Sequence, residues 1–307
     1  MEYRKRSGRR LLPGCSNLPL PEFTWAAAQR HEDMVFERKK PARHLKEHFS
    51  MKLNLKAQRV VVFGAARGIG RAIAEGFAAQ DCVVFGIDRD PAANRESLSP
   101  IQFSVNDVTS YDQMRSVAAG LGSVDHVIYC VGLGSGKFGF PFWNLEPADW
   151  APVLNVNLLG AVNVAHAFAP RLAQQGRGSF LFLVSVAGQT GSQTDPPYSA
   201  AKAGLINFMQ CAAKDLAVYG VRVNALSPGM VRTDLNRSVW EASQRGLPSS
   251  ERQGYEQWAD SKIRKVAPLG HWQTSEEYAS MAVYLASDHG RNITGQTINI
   301  DGGQVMH

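Results

Sequence analysis

No run of about 18 consecutive apolar residues occurs in the 307-residue chain, so no membrane span is expected. Cysteine is scarce: Cys15, Cys82, Cys130 and Cys211 are far apart. Their spacing offers no metal site and no disulfide framework. Cys82 and Cys130 fall in apolar strand patterns and read as packed, reduced thiols. No internal repeat recurs at a fixed period, which excludes solenoids and propellers. The body also lacks a charge imbalance. The chain carries +6 overall, but residues 1–50 hold 11 Lys+Arg against 6 Asp+Glu, and the rest hold 22 against 21. The basic excess therefore belongs to the leader, and charge gives the body no nucleic-acid role. Residues 1–50 have no apolar h-region and are not a secretory signal. Pro13, Pro19 and Pro21 break any helix there. We expect 1–50 to be a disordered leader and 51–307 to be the folded domain, in a reducing, cytoplasmic setting.

From Lys52 onward, short apolar runs alternate with helical patterns. Strands are expected at Arg59–Phe63, 82–87, 101–105, 126–130, 180–185, 221–226 and 297–300. Helices are expected at 71–80, 111–119, 150–172, 198–219 and 278–285. The stretch 234–267 is polar, irregular and partly helical. Thr109 to Asp112 and Thr274 to Glu277 read as N-terminal capping boxes. Strands alternating with helices of 10–20 residues mean an α/β fold, a parallel sheet covered on both faces.

Two places carry chemistry. Gly64, Gly68 and Gly70 lie between the first strand and first helix. Lacking Cβ, they would let the backbone approach a pyrophosphate at the helix N-terminus, although glycines in a tight turn can be purely structural. Asp88, ending the second strand, is placed to accept bonds from ribose hydroxyls and to repel a 2′-phosphate. That favours NAD. Arg67 and Arg89 could pair with that phosphate, so NADP stays open. The second place is Ser185 with Tyr198-x-x-x-Lys202. Residues four apart share a helix face. An ammonium beside a phenol favours the phenolate, so the Tyr198 pKa is expected to fall from about 10 towards neutrality. That would suit a general base for an alcohol proton. Alone, the pair could be a chance arrangement on a solvated face.

Taken together, Gly64-x-x-x-Gly68-x-Gly70, Asn157, Ser185 and Tyr198-x-x-x-Lys202 resemble the short-chain dehydrogenase/reductase family over about residues 55–307. The segment from Asn224 to Thr233 and the run from Gly295 to Gly303 extend the resemblance. It implies a single doubly wound, Rossmann-type parallel sheet and reversible hydride transfer between NAD(P) and a carbinol carbon, without a metal. It also implies roles. Tyr198 is the acid/base, and Lys202 lowers its pKa and binds the nicotinamide ribose. Ser185 positions the substrate oxygen. Asn157 kinks its helix and holds a relay water. Asp107, beside Val108, contacts adenine, and Thr233 bonds the carboxamide. Ile69, Pro228, Gly229 and Val231 complete the coenzyme set. Phe63 and the run Tyr129-Cys130-Val131-Gly132 depart from the family, which has Thr and Asn-Asn-Ala-Gly there.

The substrate pocket is expected from 136–143, 189–197 and a lid candidate at 236–263. Phe138, Phe142 and Trp240 point to an apolar or ring-bearing substrate, unless they are core or contact residues. The expected substrate is a small alcohol, polyol, sugar or ketone, with no nucleic-acid or membrane partner. The two long helices and the resemblance suggest a homotetramer. The alternative is an NADPH-dependent 3-oxoacyl-acyl-carrier-protein reductase. Asp88 and the lack of a basic carrier-docking patch in the body speak against it.

Overall fold

The computed structural model describes residues 52–306 except 92–99, 138, 193 and 246; the expected leader at 1–50 and Phe138 lie outside the described residues. Seven strands, β1 (Arg59–Phe63), β2 (Val83–Asp88), β3 (Gln102–Val105), β4 (His126–Tyr129), β5 (Gly178–Leu183), β6 (Val221–Pro228) and β7 (Thr297–Ile300), form one sheet in the order 3-2-1-4-5-6-7. Every pairing is parallel. Parallel strands need crossovers, and helices supply them on both faces.

Alternation along the strands splits the core in two. Val61 and Phe63 of β1 join Val127 and Tyr129 of β4 on one face, packed beneath helices α2 (Tyr111–Leu121), α4 (Gly160–Gln175) and α5 (Pro196–Ala217). Val60 and Val62 point the other way, towards α1 (Gly68–Ala78) and α8 (Ser275–Ala286). Fully burying one such side chain stabilises by about 1.5–3 kcal/mol.

Several boundaries differ from the sequence reading. The 150–172 pattern is three pieces: α3 (Pro147–Leu154), a π-helical turn (Asn155–Leu159) and α4. By length and composition, Pro147–Gln175 could cross a membrane. It is a core helix instead, with Val153, Val164, Phe168 and Leu172 buried. The cap of α2 is Ser110, not Thr109, accepting from the Gln113 N–H. Thr274 and Glu277 do form the expected capping box. Strand β5 stops at Leu183, two residues before Ser185. The stretch 234–267, expected to be partly helical, holds α6 (Asp234–Gln244) and α7 (Tyr255–Val266).

The chain runs outward through β1, β2 and β3 and then returns to β4 on the other side of β1. This reversal opens a crevice at the carboxyl ends of β1 and β4, where an open α/β sheet places its ligand.

Candidate active site

The turn after β1 lies in that crevice. Gly64 and Gly68 have φ of +83° and +56°, values that disfavour any residue with a Cβ. A Cβ on Gly70 would sit 2.0 Å from the Gly64 carbonyl oxygen, so Gly70 is required by close helix–turn packing. Arg67 precedes α1 without a side-chain cap, and the first turn holds no acid. The first-turn N–H groups thus face the cleft with no carboxylate competing for them, which fits a bound pyrophosphate.

Asp88 ends β2 with its carboxylate fixed from two sides. The Ala66 and Asp90 N–H groups donate to it at 3.1 Å each. It is therefore held beside the glycine turn, where a ribose diol would lie. Asp107 instead accepts from the Thr109 N–H and hydroxyl, both at 2.8 Å. Val108 is buried in the core.

A cleft of about 640 Å³ runs from the turn past the ends of β5 and β6. Arg67, Gly68, Ile69 and Gly70 line one end. Ser185, Tyr198 and Lys202 line its middle, and Pro228, Gly229, Val231 and Thr233 line the opposite wall. Gly64, Asp88, Arg89, Asp107, Val108 and Asn157 are not in its walls. A Cβ at Gly229 would meet the Asp301 Cα at 2.8 Å, so this glycine lets the chain after β6 pass close to the end of β7. Thr233 caps α6, accepting from the Asn236 N–H at 3.3 Å. Arg67 reaches across to Asp234 at 3.5 Å, both side chains exposed.

The candidate catalytic group is assembled by α5. Pro196 and Pro197 occupy its first turn, where a missing N–H costs nothing. Asp195 caps it, accepting from the Tyr198 N–H at 3.4 Å. Tyr198 thus emerges from the first turn and shares the cleft wall with Ser185, whose side chain acts to lower the phenol pKa. Ser185 follows β5 in extended backbone and caps the short turn Val186–Gly188. Lys202, only 2% exposed, sits one turn further, its Nζ 5.6 Å from the Tyr198 ring centroid. That ammonium donates to the Leu183 carbonyl at 2.8 Å.

Asn157 lies in the π-helical turn, fully buried. Its amide donates to the Leu133 carbonyl at 2.7 Å and to the Val153 carbonyl at 2.9 Å, and it accepts from the Leu133 N–H at 3.2 Å. A Cβ on Gly132 would lie 3.7 Å from the Asn157 oxygen and 3.9 Å from the Lys202 nitrogen. Gly132 therefore keeps open the space between the two side chains that a relay would join.

One expectation is reversed. The Tyr198 pKa is not lowered: burial pushes the phenol up to about 12, outweighing the lowering influence of the Ser185 side chain. Burial likewise pulls Lys202 down to about 8. The pairing rule failed because desolvation disfavours both charged forms, and because Nζ lies over the ring face and bonds Leu183.

The aromatic pocket reading is also corrected. Phe142 is 65% exposed and packs on Trp143. Trp240 donates to the Gln253 carbonyl. Neither lines the cleft. Asp195 and Lys262 line the cleft from within the expected pocket segments 189–197 and 236–263, though neither was singled out, and Gln304 lies outside those segments. Asp195 was legible, since Asp before Pro-Pro is a helix-start signal. It is 8% exposed, and its carboxyl is raised by burial against the lowering effect of the Ser135 N–H.

The family departures are filled by packing. Phe63 is fully buried and meets Phe168 edge-on at 5.8 Å. The Tyr129 hydroxyl donates to the Val156 carbonyl in the π-helical turn.

A family model described as Enoyl-(Acyl carrier protein) reductase matches residues 64–305. The chain belongs to the short-chain dehydrogenase/reductase family. Members of this family are NAD(P)-dependent oxidoreductases acting on CH–OH groups. The chain is 32% identical over 266 residues to a 3-oxoacyl-[acyl-carrier-protein] reductase of Thermotoga maritima, covering 83% of this chain and 100% of that protein. It is 31% identical over 256 residues to Nodulation protein G of Azospirillum brasilense, covering 79% and 96%. Among solved structures, a putative gluconate dehydrogenase from Agrobacterium tumefaciens aligns with a TM-score of 0.72 at 26% identity, covering 83% and 99%.

Proposed function

We propose that this short-chain dehydrogenase/reductase uses NAD(H) to interconvert a hydroxyl and a carbonyl in a small alcohol, polyol, sugar or ketone. The observation that carries this reading is that Ser185, Tyr198 and Lys202 together line the middle of a cleft that begins at the glycine turn.

Bound nicotinamide would supply hydride transfer at its ring. The protein residues handle the proton. Ser185 and Tyr198 present two hydroxyls to one substrate oxygen, stabilising charge that develops there. With its pKa near 12, Tyr198 is a phenol at neutral pH, the form that donates a proton during carbonyl reduction. In the oxidative direction it must shed that proton. Lys202, near 8, is the adjacent group able to exchange protons at physiological pH, and Asn157 stands beyond it. Lys202 and the first turn of α1 would hold the coenzyme.

NAD is preferred because the fixed Asp88 carboxylate would face a 2′-phosphate. The alternative is an NADPH-dependent 3-oxoacyl-acyl-carrier-protein reductase, as in the Thermotoga maritima relative; Asp88 speaks against it. We further propose a cytoplasmic homotetramer. Unpaired, buried Cys82 fits a reducing compartment, and half-exposed Leu159 on a long helix fits a subunit contact.

The test is a panel of alcohols and ketones with both coenzymes, read by coenzyme absorbance, for wild type and Tyr198→Phe. We expect turnover in wild type and a loss of about 10²–10⁴-fold in the variant, with coenzyme binding retained. Undiminished turnover in Tyr198→Phe removes the phenol from the mechanism.

A further inference from the structure

The far end of the cleft is walled by α6 and α7, through Asn236, Val239, Lys262 and Val266. On α7, Ala259 and Ile263 are buried, and Val266 packs with them. Lys262 lies three residues after Ala259 and four before Val266, which puts it on their face. An amphipathic helix should carry an apolar side chain there. Instead a lysine lines the cleft there.

The other charges lining the cleft are already engaged. Arg67 pairs with Asp234, and Arg232 pairs with Glu256 at 3.0 Å. Asp195 accepts from the Ser135 and Tyr198 N–H groups. Lys202 donates to Leu183. Among the described residues Lys262 has neither an ion pair nor a hydrogen bond, only the Trp258 ring, 4.7 Å from Nζ to centroid. Of the charged side chains lining the cleft, Lys262 alone lacks both kinds of polar partner. The Gln304 amide oxygen, in the same cleft, is also buried without a partner. Burial lowers the Lys262 pKa, an unfavourable desolvation that an anionic ligand would offset.

We propose that Lys262 anchors a carboxylate on the substrate, so that the substrate is a hydroxy acid and the product the corresponding oxo acid. This rests on the oxidoreductase reading above. One ammonium, with the Arg67 and Arg232 guanidinium groups of the cleft already paired to carboxylates, matches a monoanionic carboxylate better than a phosphate dianion. The substrate lies with its carbinol at Ser185 and Tyr198 and its carboxylate at Lys262.

The test uses the full chain and three sets of probes: hydroxy acids, including aldonic acids; their methyl esters; and polyol phosphates. Wild type, Lys262→Met and Lys262→Arg are compared. We expect wild type to favour acids over esters in kcat/KM. That preference should fall about 10–100-fold in Lys262→Met, through KM and not kcat, and be largely kept in Lys262→Arg. Equal use of acids and esters by wild type overturns the proposal. So does an equal loss on both in Lys262→Met, or a preference for the phosphates. Turnover of neutral alcohols only, abolished by Tyr198→Phe, leaves the hydride-transfer reading standing and removes Lys262 from recognition. No turnover of any probe with either coenzyme overturns both.

Discussion

Replacing Lys202 with Met should destroy activity and stabilise the coenzyme-free protein. Its ammonium is 2% exposed, and burial moves its pKa from 10.5 to about 8. At about 1.4 kcal/mol per unit, holding it charged at pH 7 costs the fold about 3 kcal/mol. Methionine has a similar shape and no charge. It forfeits the hydrogen bond to the Leu183 carbonyl, worth about 1 kcal/mol. The net expectation is a gain of about 2 kcal/mol, or about 4–8 °C in Tm for a unit of this size. The pH dependence fixes the cause. Below pH 8 Lys202 is charged in both states and the whole cost is present. Between pH 8 and 10.5 the folded form has lost its proton while the unfolded chain keeps one, so wild-type stability rises with pH. The gap between wild type and Lys202→Met should therefore narrow across that window. Thermal and urea unfolding from pH 6.5 to 10, without nucleotide, measures it. A Lys202→Met protein less stable at pH 7, or a gap independent of pH, refutes the reasoning.

Asp88→Ala should raise kcat/KM for NADP⁺ relative to NAD⁺ at least tenfold, because the carboxylate held by Ala66 and Asp90 no longer faces the 2′-phosphate; an unchanged ratio in coenzyme kinetics refutes it. Gly70→Ala should abolish coenzyme binding by calorimetry and lower stability by about 1–3 kcal/mol, since its Cβ would lie 2.0 Å from backbone oxygen. Wild-type affinity in that variant would show that the turn can yield.

Much of the sheet was legible because its strands are short and apolar: β1 and β7 fall where the pattern puts them. The π-helical turn was not legible in the hydrophobic pattern; only the family resemblance, which puts a kink at Asn157, pointed to it. The site was half legible. Spacing alone puts Tyr198 and Lys202 on one face, and the structure adds Ser185. Spacing cannot report how dry that face is, and dryness sets both titrations. Lys262 escaped notice because its inward position exists only once 255–266 is seen as a helix.

The residues of the proton path hang from the sheet and α5, whereas Lys262 rides on α7, whose apolar face rests on a small cluster around Met230, Ile263 and Ala267. Selection can therefore act on the two halves separately. Descendants of this chain could swap what is grasped at the distal wall by exchanging one helical cassette, while the machinery at the strand ends is inherited intact.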